Sequence, residues 1–162
     1  MSEARETRPA PPWRVSRWFN APQGSEPSLE SLKGKVVALH AFQMLCPGCV
    51  SHGIPQAQRM HDLFADRGVA VIGLHTVFEH HEAMTPTALA AFLHEYRVSF
   101  PVGVDEPGEG TPLPRTMEAY GLRGTPSLVL IDRHGRMRAH AFGQTDDLAV
   151  GAELAFLLAE PA

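Results

Sequence analysis

Cys46 and Cys49 are the only cysteines among 162 residues, and two residues separate them. They stand just behind an apolar, β-branched run, Lys35 to Phe42 (KVVALHAF), which reads as a buried strand. That order asks for a strand leading into a helix whose first turn carries both sulfurs. Pro47 suits that first turn, where its missing N–H is not needed. A pair so close in sequence closes no long loop and adds little stability as a cross-link. A domain stapled by disulfides would carry more cysteines, spread along the chain. The pair is therefore read as chemical.

The chemistry follows from the placement. Free N–H groups and the macrodipole at a helix N-terminus favour an anion, and the thiolate is the reactive form of cysteine. Cys46 is the candidate nucleophile, attacking a disulfide to form a mixed disulfide. Cys49, one turn on and more buried, is the candidate resolving thiol. Pro47 and Gly48 set how many N–H groups face the sulfur. The reaction needs no cofactor. The competing reading is half of a structural zinc site. Such a site takes four ligands, there is no second CxxC, and completion by histidines stays open because the chain has nine.

The rest of the chain reads as one α/β domain. A flexible N-terminal arm is expected over 1–22, tethered by Trp13, Val15, Trp18 and Phe19, with the domain over 23–162. Ser28 to Gly34 reads as a short turn of helix. The active-site helix should run to about Ala65, kinked at Pro55. Val69 to His75 is a second buried strand, and Thr85 to Arg97 a helix with Pro86 at its start. Phe100 to Val104 is a short strand and Pro114 to Tyr120 a short helix. Ser127 to Ile131 and Arg136 to Phe142 form a hairpin, and Asp146 to Glu160 a closing helix. This β-α-β-α-β-α-β-β-α order implies a central mixed sheet with helices on both faces.

Fourteen Lys and Arg against 18 Asp and Glu give a formal charge of -4, without the basic surplus of a nucleic-acid binder. The first twelve residues are charged and Pro-rich, lacking the apolar core of a secretory signal. No stretch approaches the roughly 20 apolar residues of a membrane span. A cytoplasmic protein with no membrane partner is expected.

A second signal, Gly124-Thr125-Pro126, precedes the hairpin. Taken with KVVALHAFQMLCPGC, VAVIGLH and AYGLRGTPSLVLIDRHGRMRAHAFG, it makes residues 28–160 resemble the thioredoxin-like family of the TlpA/ResA type. The resemblance implies a thioredoxin fold, with the helix and strand between His75 and Tyr120 as an insertion. It implies that Pro126 is cis and faces the cysteines, keeping metals from the thiols, and that the Thr125 backbone pairs with an extended substrate. The implied partners are a protein or small-molecule disulfide and an upstream thiol reductant.

Three positions depart from that family. Leu45 replaces the usual Trp before the first cysteine. Ala41-Phe42-Gln43 replaces Phe-Trp-Ala. His40 stands where an Asp or Asn is common, as a proton shuttle near neutral pH or as a hydrogen-bonded core histidine. His52, one turn after Cys49, is a proton donor or thiolate partner, or part of a solvated helix face. His75, Glu79, His80, His81 and Glu82 read as a solvated loop, with a metal site as the alternative. Arg123 reads as a surface residue and Met44, Met60, Met84 and Met117 as core filler.

Two further functions compete with thiol–disulfide exchange. A peroxiredoxin-like peroxidase needs Pro-x-x-x-Thr/Ser-x-x-Cys, and the aligned positions hold Leu39 and Gln43. A copper- or zinc-binding module would use Cys46, Cys49 and a histidine, but copper-delivery relatives of this fold carry CxxxC.

Overall fold

The computed structural model describes residues 7–162. In chain order the elements are β1 (Arg8–Pro9), β2 (Val15–Phe19), β3 (Val36–Phe42), α1 (Ile54–Phe64), β4 (Val69–His75), α2 (Pro86–Glu95), β5 (Val102–Asp105), α3 (Arg115–Tyr120), β6 (Ser127–Ile131), β7 (Arg136–Phe142) and α4 (Asp147–Ala159). From β3 onward this is the order read from the sequence. The strands form one mixed seven-stranded sheet in the order β1-β7-β6-β3-β4-β5-β2. At its centre β3 runs parallel to β4 and antiparallel to β6.

All seven residues of β3 are buried, because the sheet is covered on both faces. Its alternate side chains serve two cores. Val36, Ala38 and Phe42 pack with Ile54, Ala57 and Met60 of α1, Leu89 and Phe92 of α2, and Leu154 of α4. Val37, Leu39 and Ala41 pack with Met117 and Tyr120 of α3, and with Trp13, Trp18, Leu29 and Leu32. Among the described residues no helix is long and apolar enough to cross a membrane.

Three stretches differ from expectation. Within the segment read as a flexible arm, β1 pairs with β7 and β2 with β5, so residues 8–19 reach both edges of the sheet. The Trp13 indole N–H donates to the Tyr120 hydroxyl (3.0 Å), which itself donates to the Pro11 carbonyl (2.7 Å). The remainder of that arm, residues 1–6, lies outside the described residues. Ser28 to Gly34 forms turns instead of a helix. Ser28 and Ser31 bond each other's backbone N–H groups through their hydroxyls, a competitor to helical bonding. Around Pro55 the active-site helix changes type. A π-helical turn, Cys49–Gly53, precedes α1, and Pro55 falls at the second position of α1, where its N–H is not missed.

Candidate active site

β3 ends at Phe42, and the chain turns over Gln43–Cys46, the Cys46 N–H donating to the Gln43 carbonyl (3.0 Å). Pro47 and Gly48 open the helix. The Cys49 N–H then points at the Cys46 sulfur, 3.3 Å away, and the Cys46 Sγ lies 3.5 Å from the Thr125 carbonyl. A half-buried sulfur facing an amide at a helix start is a site where negative charge is stabilised. The Thr125–Pro126 bond is cis, as the resemblance implies. Pro126 lies against Gly48, its Cδ 3.4 Å from where a Gly48 side chain would begin. Cys46, Cys49, Gly48, Thr125 and Pro126 are thus brought together, with exposed Pro47 beside them.

The two sulfurs differ in environment. Cys49 is 0% exposed. Burial pushes its thiol up to about 12, and the adjacent Cys46 side chain pushes the same way. Only Cys46 is reachable from solvent.

His40 sits against Gly53, 3% exposed, its ring parallel to Phe42 at 5.9 Å. A Cβ on Gly53 would lie 2.6 Å from His40 Cε1, 2.8 Å from Nε2 and 3.2 Å from Pro126 Cβ, so the ring fills the space under the helix start. His40 Nε2 has no hydrogen-bond partner among the described residues. Burial lowers its pKa to about 4, aided by the charge of His52. His52 is half-buried and bonds the Thr145 carbonyl at 2.9 Å, a carbonyl it shares with Gln56 Nε2 (2.9 Å). It is therefore tied to the loop before α4 and is not part of a freely solvated helix face.

Gln43 and His75, which the sequence suggested for other roles, fasten the turn. Gln43 is 1% exposed and its Oε1 accepts the Phe78 N–H (3.1 Å). His75 is also 1% exposed, and its Nε2 accepts the Met44 N–H (3.2 Å). This separates His75 from Glu79, His80, His81 and Glu82, all exposed, with which the sequence groups it. Among the described residues no three His, Cys, Asp or Glu side chains are gathered to hold a metal. The available signal was a polar residue closing an otherwise apolar buried run, as in VAVIGLH.

Leu45, next to Cys46, is 53% exposed, and Phe142, at the end of β7, 48%. The Phe142 ring lies over Gly124, 2.9 Å from where a side chain there would begin, and the Arg123 guanidinium sits 5.5 Å from its centroid. Arg123 is exposed, a surface residue as the sequence suggests, resting against that ring.

The family model described as AhpC/TSA matches residues 7–140. Among solved structures the chain is similar to a thioredoxin-like superfamily protein, 58% identical with a TM-score of 0.91, over 95% of this chain and 98% of that one. It is also similar to a thiol-disulfide isomerase from Corynebacterium glutamicum, 51% identical with a TM-score of 0.88, over 94% and 98% of the two chains. Among sequences it is 27% identical over 128 residues to the thiol-disulfide oxidoreductase ResA of Halalkalibacterium halodurans, spanning 78% of this chain and 65% of that protein. It is 30% identical over 132 residues to DipZ of Mycobacterium bovis, covering 82% of this chain but 18% of DipZ. The chain therefore spans less than two thirds of these sequence relatives.

Proposed function

The chain belongs to the AhpC/TSA family, and from that premise we propose that it is a thiol–disulfide oxidoreductase working through Cys46 and Cys49. The observation that carries the reading is the inequality of the two sulfurs. One is reachable and faces an amide N–H; the other is buried three residues on. The Cys46 thiolate attacks a substrate disulfide, forming a bond to one sulfur and releasing the other as thiolate. Cys49, on losing its proton, attacks Cys46 Sγ, closes the Cys46–Cys49 disulfide and releases the second substrate thiolate. Two electrons pass to the substrate, and the protons of Cys46 and Cys49 end on its two thiols.

Cys49 needs a proton acceptor, since burial favours its neutral form. The neutral His40 imidazole, with an unoccupied Nε2, is assigned as a relay for that proton and not as its store, because its affinity for a proton is low. His52, half-buried one turn after Cys49, is the onward route. The exposed apolar side chain of Leu45 beside Cys46, with the Thr125 carbonyl 3.5 Å from its sulfur, supports a polypeptide disulfide as substrate. A separate thiol reductant restores the dithiol, the resting form in a reducing compartment such as the cytoplasm. Peroxidase chemistry is disfavoured, because Gln43 offers no hydroxyl and its amide oxygen is engaged by the Phe78 N–H.

The test is a pair of variants. Cys46→Ser should abolish reduction of insulin disulfides, and Cys49→Ser should accumulate mixed disulfides with captured partners. Full activity in Cys46→Ser would overturn the assignment.

A further inference from the structure

We propose that His75 is a positioning residue: its neutral imidazole, protonated on Nδ1, offers Nε2 to the Met44 amide and so holds the turn that presents Cys46. The inference rests on the oxidoreductase reading and extends it to how the nucleophile is held.

Three bonds to backbone N–H groups lace the end of β3 and its turn to the end of β4 and the stretch after it. The Thr76 N–H donates to the Phe42 carbonyl (3.1 Å), the Met44 N–H donates to His75 Nε2 (3.2 Å), and the Phe78 N–H donates to Gln43 Oε1 (3.1 Å). The first continues the parallel β3–β4 ladder and needs no particular side chain. The other two exist only because His and Gln stand at 75 and 43. Met44 lies two residues before the nucleophile, inside a turn closed by the Cys46 N–H on the Gln43 carbonyl.

The tether has one permitted chemical state. Nε2 can accept only while it carries no proton, so the ring must hold its proton on Nδ1, and an imidazolium has no acceptor at all. Burial keeps the ring neutral, lowering its pKa to about 4. The ring is 1% exposed and packs against Phe42 at 5.1 Å, so it is held between the strand and the turn. Without the acceptor the Met44 amide loses a partner in a partly buried place. The turn then shifts, and with it the distances from Cys46 Sγ to the Cys49 N–H and the Thr125 carbonyl.

Nitrogen-15 NMR of the histidine ring in the wild-type protein reads the tether directly. At pH 7 we expect Nδ1 protonated, Nε2 unprotonated and coupled to the Met44 amide; a proton on Nε2 would overturn the proposal. Insulin reduction and the pH profile of Cys46 alkylation are then compared for His75→Leu and His75→Gln. A displaced turn should slow His75→Leu by about tenfold or more and move its alkylation profile, while His75→Gln, which restores an acceptor, stays within about threefold of wild type. A folded His75→Leu at wild-type rate, or equal losses in both variants, overturns the proposal. If His75→Leu does not fold, the wild-type ring spectrum decides. A wild-type protein that reduces no disulfide would instead remove the oxidoreductase reading, with the tether still judged by NMR.

Discussion

Gly53 shows how tightly individual residues are fitted beneath the thiols. Only a hydrogen fits between its backbone and the His40 ring, with Pro126 closing the other side. Gly53→Ala should therefore lower unfolding free energy by about 1–3 kcal/mol, through overpacking of a filled site. Trimming the opposing ring in Gly53→Ala/His40→Ala should make the two effects non-additive. Simple additivity in a denaturant double-mutant cycle would show that the two do not meet. In the sequence Gly53 is only a residue that weakens a helix, because its constraint comes from a strand thirteen residues earlier. Cys46 and Cys49 were legible from their spacing behind a strand, and His40 and Pro126 through the family resemblance. The bonds made by Gln43 and His75 were not, because their partners are backbone amides of other segments.

The elements β3 to α4 were legible in order because each carries its own period or an end signal. Thr85 accepts the Ala88 N–H at the start of α2, and Asp146 accepts those of Leu148 and Ala149 at α4. The N-terminal strands were hidden. Two residues of β1 have no period, and a charged, Pro-rich composition reads as unpaired chain. Their pairing has a measurable consequence. Deleting residues 2–21 removes β2, uncovers the backbone of Val102–Asp105, and takes away the Asn20 side chain that donates to the Val98 and Phe100 carbonyls. We expect a lower melting temperature and concentration-dependent association by size-exclusion chromatography, the behaviour of an opened sheet edge. A truncated protein that stays monomeric and melts like the full chain would show that β2 contributes little.

At the scale of the whole molecule, buried histidines set the response to acid. His40 and His75 each fall from 6.5 to about 4 in the folded state, mainly through burial. Between those values the unfolded chain binds protons that the native chain refuses, so stability drops as pH falls through that window. The size is roughly 3 kcal/mol per histidine at most. The Asp105 carboxyl, raised by burial, acts in the opposite sense: the native state keeps its proton to higher pH, which offsets part of the loss. Denaturant unfolding measured from pH 7 to pH 4.5 should show the decline, and His40→Leu should remove roughly half of the histidine contribution to it. An unchanged slope in that variant would mean the buried ring titrates normally.

The placement of β1 and β2 also bears on the order in which the molecule can assemble. β1 has nothing to pair with until Arg136 and Met137 exist, and β2 nothing until Val102 to Asp105 exist. A ribosome supplies these partners well after the strands that need them. β1 and β2 must therefore wait unpaired until strands later in the chain are made, and one short segment then seals both margins of the sheet.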